Sequence, residues 1–283
     1  MRKILYLLLF GIVFSCQGDY GEPDTQRLVV EAWIDKGGFP MVFVTRSIPV
    51  TSEYQSIDDL GQYLERWAKV TIDNGSQQDV MVGRLNRHYY PPFYYTTSFM
   101  RGETGKTYHL HVETQDGLTA DATTTLQDGD VAIDSFWVTP VATSDTLYQL
   151  HAQLDMSVCN SQYYKLFAQT NTELQTTVST MLGTFSLDMI EQGHIIINQG
   201  RTNVNKDYIT SFSVNDTVHV RIAALTEEQY DYWRNFEDAL SLSRNPLFPV
   251  TNNLPGNVRD GIGYWFAYNT RSYDIVIRKL ADR

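Results

Sequence analysis

The sequence predicts a mainly β protein with two β-sandwich domains, the second of which carries a single long helix. Three observations predict this class. Short runs rich in β-branched and aromatic residues alternate with polar positions, turn residues separate these runs at close spacing, and helical periodicity is convincing in one stretch alone. At 283 residues and 42% hydrophobic content, the chain is long enough for two domains of ordinary size.

Residues 1–15 have the features of a secretory signal peptide. Arg2 and Lys3 precede an apolar run over residues 4–14, which is too short for a membrane span of roughly 20 residues. The run Val13-Phe14-Ser15-Cys16 resembles the bacterial lipobox, in which the signal is cut before a cysteine that then carries acyl chains. We therefore expect lipidation at Cys16; an ordinary signal peptide with an incidental cysteine is the alternative.

Residues 16–25 read as a lipidated, flexible and acidic tether. Acyl chains on the cysteine would hold the mature chain on a membrane without crossing it. The acidic residues Asp19, Glu22 and Asp24 resemble a surface-export signal, so we expect exposure at the cell surface. The other cysteine of the chain, Cys159, has no intrachain partner after processing and is expected to be a small buried side chain.

The N-terminal β-sandwich, predicted to be immunoglobulin-like, covers residues 26–126. Its strands are predicted at residues 28–34, 41–45, 68–73, 80–85, 105–112 and 118–126. Asn74-Gly75 is a strong signal for a hairpin between two of them. Residues 58–67 read as a short helix or an irregular loop.

The C-terminal β-sandwich is predicted over residues 131–283, after a polar, turn-rich boundary at residues 127–130. Its strands are predicted at residues 132–138, 147–154, 163–170, 193–197, 216–223 and 273–277. In the strand over residues 216–223, Val218, Val220 and Ile222 face one side and more polar residues the other.

The helix is predicted over residues 226–243. Thr226 and Gln229 fit the capping box that starts a helix, and Asn245-Pro246 marks its end. Its apolar face, which must be buried against a sheet, consists of Tyr230, Trp233, Phe236 and Leu240. The glycine-rich stretch beyond it, with Gly256, Gly261 and Gly263, reads as a structural loop in which glycine permits positive φ and close backbone approach.

The order of several motifs resembles that of a known family. These motifs are the lipobox, the run at residues 28–34, Gly105-Lys106-Thr107-Tyr108, Asn245-Pro246-Leu247-Phe248, and the closing runs at residues 252–257 and 261–268. Together they resemble the uncharacterised Bacteroidota lipoproteins grouped as domain of unknown function 4249. The resemblance implies an outer-membrane or cell-surface lipoprotein, often encoded beside a TonB-dependent transporter, and implies no catalytic residues.

An aromatic run provides the candidate binding residues Tyr89, Tyr90, Phe93 and Tyr94. Aromatic side chains stack on sugar rings or fill pockets of a partner at modest entropic cost, so a glycan or peptide ligand is conceivable. In the alternative interpretation, alternate members of the run face the sandwich core and Pro91-Pro92 marks an edge or a bulge.

The other candidate site residues give weaker indications of function. His109 and His111 share one strand face, but no third metal ligand can be assigned, and a solvated strand face is the simpler interpretation. Glu237 lies near the apolar side of the helix and can pair with Arg234. The sequence thus predicts no metal, no cofactor and no catalytic residues. The net charge of −11, without a basic run, argues against nucleic-acid binding.

These observations favour a lipid-anchored protein of the outer membrane or cell surface that is a binding or accessory subunit, with an outer-membrane β-barrel transporter as its expected partner. An enzyme is not expected. Two alternatives stay open: a surface hydrolase that acts on glycans or peptides, and a structural or adhesive module.

Overall fold

The computed structural model describes residues 26–48, 58–87, 89–170, 175–176, 183–199, 209–243, 254 and 256–279. Over these residues the protein is mainly β, with one α-helix, which confirms the predicted fold class. The predicted signal peptide, Cys16, the tether and the run Asn245-Pro246-Leu247-Phe248 lie outside the described residues. Within the described part, no helix has the length and apolar character needed to cross a membrane.

The strands are numbered along the chain. Those of the first half are β1 (Leu28–Asp35), β2 (Met41–Arg46), β3 (Lys69–Asp73), β4 (Gln78–Val80), β5 (Val82–Leu85), β6 (Tyr89–Tyr90), β7 (Phe93–Thr96), β8 (Thr107–Glu113) and β9 (Thr119–Thr125). Those of the second half are β10 (Ile133–Pro140), β11 (Leu147–Leu154), β12 (Tyr163–Thr170), β13 (Gln175–Thr176), β14 (Thr184–Ser186), β15 (His194–Ile197), β16 (Phe212–Ser213), β17 (Thr217–Leu225), β18 (Val258–Arg259) and β19 (Gly261–Val276). The helix α1 spans Glu227–Ser243.

One eight-stranded sheet, called here the long sheet, runs through the protein in the order β14-β12-β17-β19-β1-β2-β7-β5. Its central strand is β19, which pairs in parallel with β1 along its first half and antiparallel with β17 along its second half. Two smaller sheets pack on the same face of the long sheet, in the orders β18-β9-β8-β3-β4 and β10-β11-β15.

Each smaller sheet encloses a core with the long sheet. The first core contains Val30, Ala32 and Trp265, and the second contains Val220, Ile222 and Leu150. The predicted boundary at residues 127–130 is a stretch without regular structure. Residues 258–268, which the predicted division assigned to the second domain, complete the first sandwich through β18 and the beginning of β19.

The predicted closing strand is present but is longer than expected, and the loop predicted before it is wrong. Residues 273–276 are the last part of β19, which begins at Gly261. Gly261 and Gly263 consequently lie in a strand, although a loop was expected. Gly263 has φ of 110°, and a Cβ there would lie 2.0 Å from the carbonyl oxygen of Val30, so the close pairing of β19 with β1 requires glycine.

In the N-terminal sandwich, the single strand predicted at residues 80–85 is wrong, and the structure resolves the alternative left open at residues 58–67. The strand predicted at residues 80–85 is divided at the buried residue Met81: β4 pairs with β3 in one sheet, and β5 pairs with β7 in the other. A run of alternating residues does not reveal that the chain changes sheets. The ambiguous stretch at residues 58–67 contains a 3-10 helix, Asp58–Tyr63.

Helix α1 covers the opposite face of the long sheet. It starts with the predicted capping box, in which the Thr226 amide donates to Gln229 Oε1 and the Gln229 amide donates to Thr226 Oγ1. Its aromatic residues Tyr232 and Trp233 are buried against Tyr264, Phe266 and Tyr268 of β19 in a third core. The predicted burial of the helix against a sheet is therefore confirmed.

A buried ion pair fastens α1 to the sheet. Lys165 Nζ of β12 lies 2.5 Å from Glu237 Oε1, and both side chains are almost fully buried. The same oxygen accepts hydrogen bonds from the amides of Gly183 and Thr184 and from Thr184 Oγ1. Burial lowers the pKa of Lys165 to about 8, although Glu237 opposes this shift. Arg234, the expected partner, is 3.7 Å from the other oxygen of Glu237.

Glu237→Gln is expected to lower the free energy of unfolding by about 3–5 kcal/mol, because the buried ammonium of Lys165 loses the carboxylate that neutralises it. Asp238→Asn, an exposed neighbour on the same helix, is the matched control and should change stability by less than about 0.5 kcal/mol. Urea unfolding at pH 7 measures both. A loss below about 1 kcal/mol in Glu237→Gln would show that the pair does not hold the helix.

The buried tyrosines under α1 predict a loss of stability in alkali. Burial raises the pKa of Tyr232, Tyr264 and Tyr268, and the carboxylate of Glu31 adds to the effect at the first two. The folded chain keeps these protons while the unfolded chain releases them near pH 10. The stability that they contribute is thus complete below pH 10 and is lost as the pH rises further.

Tyr264→Phe removes one of these groups. Above pH 10, the free energy of unfolding of the variant should fall less steeply than that of the wild type, by about 1.4 kcal/mol per pH unit. Denaturant unfolding between pH 8 and pH 11.5, with tyrosinate absorbance recorded in parallel, measures the two slopes. Equal slopes would contradict the assignment.

Candidate binding surface

Beyond the helix, the same face of the long sheet carries a second set of aromatic side chains. Helix α1 lies against β12, β14 and β17. Strand alternation then places Trp33 and Asp35 of β1 on this face, next to Phe266 and Tyr268 of β19. Farther along, Phe43 of β2 is paired with Glu31 of β1, on the same side.

These residues form what we call the aromatic surface. It consists of Trp33, Phe43, Tyr89, Tyr94, Phe167, Arg221 and Asp35. The rings follow one another closely: the centroid of Phe43 lies 5.7 Å from Trp33, 5.6 Å from Tyr94 and 5.9 Å from Tyr89. Phe43 is buried, whereas the other members are half-buried. The surface therefore presents aromatic side chains that keep part of their area exposed.

Arg221 joins the two halves of the aromatic surface. Phe167 stands directly opposite it in the pairing of β12 with β17, and the guanidinium carbon lies 4.0 Å from the centre of that ring. The same carbon is 5.7 Å from the Trp33 ring, within the range of a cation–π contact. Arg221 Nη1 also donates to Asp35 Oδ2 at 2.8 Å. Its orientation is thus set from three sides.

Beneath the surface, one carboxylate oxygen lacks a hydrogen-bond donor within the described part of the chain. The other oxygen of Asp35, Oδ1, is buried and has no hydrogen-bond donor among the described residues. Burial raises the pKa of Tyr89, an effect that Tyr94 adds to and Arg221 opposes, so this phenol is a neutral donor at physiological pH. Aromatic rings beside an oriented arginine and a carboxylate are typical of surfaces that bind a partner.

The four predicted binding residues are not all brought together. Tyr89 and Tyr94 lie in the aromatic surface, with ring centroids 5.5 Å apart. Phe93 points to the other side of the sheet, where it packs on Gly83 and makes an edge contact with Tyr95 at 5.3 Å. Tyr90 pairs with Thr176 in the short sheet of β6 and β13, and its side chain lies outside the described part. Cys16 also lies outside it.

Sequence reasoning missed the remaining members of the surface. Trp33 and Asp35 had a readable signal, since they occupy the less buried positions of the alternating strand β1. No local sequence signal places Phe167 and Arg221 on this surface, because their neighbours there come from strands that lie far away in sequence. A cross-sheet register of this kind cannot be read from local patterns.

The histidines of β8 do not form a shared site. His109 Nδ1 bonds to Thr123 Oγ1 at 2.9 Å, and His111 Nδ1 bonds to Asp121 Oδ1 at 2.8 Å. Over the ranges that the structure describes, no three His, Cys, Asp or Glu side chains are grouped so as to hold a metal ion. Cys159 is half-buried and packs at the edge of the second core.

Comparison with known proteins yields one family match. The family model described as Domain of unknown function (DUF4249) matches residues 17–274, which is nearly the whole chain. A search of curated proteins found no significant match. Within the closing motif at residues 252–257, the side chain of Asn257 bonds to the backbone of both Thr123 and Trp265 and so holds β19 against β9.

Proposed function

The chain belongs to the family described as Domain of unknown function (DUF4249), and from this premise we propose that it is a lipid-anchored lipoprotein of the outer membrane or cell surface. Cys16 carries the acyl chains, and residues 16–25 tether the body to the membrane. Support comes from the lipobox-like run ending at Cys16 and from the first strand, which begins at Leu28, shortly after the tether.

We further propose that the protein is a binding or accessory subunit without catalytic activity of its own, and that its partner is a TonB-dependent β-barrel transporter. The observation that carries the binding role is the aromatic surface. Most of its rings stand on the long sheet, Tyr89 stands on the neighbouring strand β6, and Arg221 is oriented by Phe167, Trp33 and Asp35. A preorganised surface loses little entropy when a partner docks, which favours affinity.

The anchoring proposal predicts the effect of Cys16→Ser. The wild-type chain should incorporate a fatty-acid label and fractionate with the outer membrane, whereas Cys16→Ser should lose the label and leave that fraction, because no acyl chain can be attached. Cys159→Ser is the matched control and should behave as wild type. Label on Cys16→Ser, or its recovery in the outer membrane, would overturn the anchor.

The binding proposal predicts a separation of binding from stability. Tyr89→Ala and Tyr94→Ala together should reduce recovery of the transporter by about tenfold or more in a pull-down from mildly solubilised membranes, with little change in melting temperature. Phe93→Ala is the contrasting variant. It should lower the free energy of unfolding by about 2–3 kcal/mol, since Phe93 is packed on the core side, and should keep its partner below the melting temperature.

The outcome of this pull-down decides between the proposed roles. A wild-type protein that is recovered without any β-barrel partner contradicts the accessory role. Equal recovery with wild type and with the double Tyr89 and Tyr94 variant contradicts the assignment to the aromatic surface, while it leaves the accessory role standing.

A further inference from the structure

A second cluster, far from the aromatic surface, lies on the outer face of the sheet β10-β11-β15. Trp137 of β10 stands opposite His151 of β11, and His194 lies on the neighbouring strand β15, opposite Gln153. Alternation directs these side chains away from the second core, where Leu150 and Ala152 are buried. Trp137 and His194 are exposed, whereas His151 is buried between them.

The two imidazoles face each other through their nitrogens. His151 Nδ1 lies 3.0 Å from His194 Nε2, while the ring centroids are 5.2 Å apart and the planes differ by 24°. The rings therefore meet edge to edge and are nearly coplanar, so that the lone pairs of the two nitrogens are directed at each other. In the neutral pair, one proton bridges the two nitrogens.

The other contacts of His151 prepare it for coordination. Its Nε2 lies 2.8 Å from Thr139 Oγ1, and in the tautomer in which Nε2 donates this hydrogen bond, Nδ1 carries a free electron pair. A hydrogen bond from the distal ring nitrogen is the usual way in which proteins orient a metal-binding histidine. His194 is exposed and sits near the start of β15, so its ring can move away from His151 without disturbing the core.

Trp137 covers one side of the imidazole pair. Its plane is inclined by 9° to His151 and by 25° to His194, with ring centroids at 5.4 and 5.1 Å. A cation placed between the two nitrogens would therefore lie against the face of the indole, whose quadrupole attracts positive charge.

We propose that His151 Nδ1 and His194 Nε2 bind a soft monovalent cation, copper(I), as its two ligands, with Trp137 packed against the ion. Two collinear nitrogens complete the coordination of such an ion, whereas zinc takes three or four protein ligands. The described residues supply no such larger set. With metal–imidazole bonds of about 2.0 Å, the nitrogens must separate from 3.0 Å to about 4 Å.

Binding of the metal ion to the two nitrogens requires no further reactant. Two nitrogen–metal bonds form, and the bridging hydrogen bond breaks. The proton that it held moves through water to His194 Nδ1, while Nε2 of His151 keeps its own proton toward Thr139. The neutral pair therefore binds the ion with no net release of protons, and the oxidation state of the ion does not change.

Silver(I), which is not reduced or oxidised in buffer, is the probe for this site. Because Ag+ binds thiols tightly, the free thiol of Cys159 is first replaced, and the further variants are made in that background. Titration of the Cys159→Ser chain with Ag+ at pH 7.5 should show one saturable site that quenches indole fluorescence. His194→Ala should abolish this site, Thr139→Val should weaken it by about tenfold through the lost hydrogen bond to His151, and Trp137→Phe should remove the quenching. His109→Ala, which changes an exposed histidine of β8, is the matched control and should titrate as wild type.

Three results would overturn the proposal. They are absence of saturable binding to the wild type, the same affinity in His194→Ala as in the wild type, and binding of Zn2+ at this site as tight as that of Ag+. The first would assign the pair to a structural hydrogen bond. X-ray absorption of the copper(I) complex, prepared under reducing conditions, should show two nitrogen neighbours and fewer in His194→Ala.

Discussion

Strand β19 imposes the constraint on which the three cores depend. Successive side chains of Gly261–Val276 point to opposite faces of the long sheet, and the two faces pack against different elements. On one face, Trp265 and Ala267 pack in the first core. Farther along the same face, Tyr273 and Ile275 pack against the second core. Tyr264, Phe266 and Tyr268 look toward α1. A shift of register by one residue would exchange these faces and expose every core at once.

Local sequence patterns predict individual strands and the helix, but they do not predict which strands pair across long sequence separations. The strands β1, β11 and β12, the capping box and the apolar face of α1 follow from alternation, periodicity and cap chemistry, which are local properties. The pairing of β1 with β19 does not, because it joins the two ends of the chain. For the same reason the glycine-rich stretch with Gly261 and Gly263 resembled a loop, because glycines suggest turns and the partner strand cannot be recognised from local sequence.

Lys165 and Glu237 are two charged residues in apolar surroundings that neutralise each other in the folded protein. Each stands in an apolar context, Lys165 within a strand that is buried on both faces and Glu237 on the apolar side of α1. A charge in such a place needs a partner of opposite sign, and helical spacing predicts Arg234 as the local partner of Glu237. The partner that neutralises it comes from a different element, and this pairing also makes the helix position specific to one site on the sheet.

The candidate sites use different parts of this scaffold. The aromatic surface depends on the register among five strands of the long sheet, while the histidine pair depends on three strands of one smaller sheet. The unusually aromatic composition of the run around Tyr89 and Tyr94 predicts both as binding residues. No such signal marks His151 and His194, since each is solitary in sequence and the strand pairing alone brings them within 3.0 Å.

The parallel pairing of β1 with β19 has a consequence for how the chain reaches its native state. The N-terminal sandwich stays incomplete until β18 and β19 are present, because Trp265 and Ala267 fill its interior. Contacts of such wide sequence separation give a high contact order, and chains of that kind fold slowly. Folding of the N-terminal sandwich must therefore wait until β19 has been synthesised, and the unpaired edge of β1 is available to wrong partners throughout that interval.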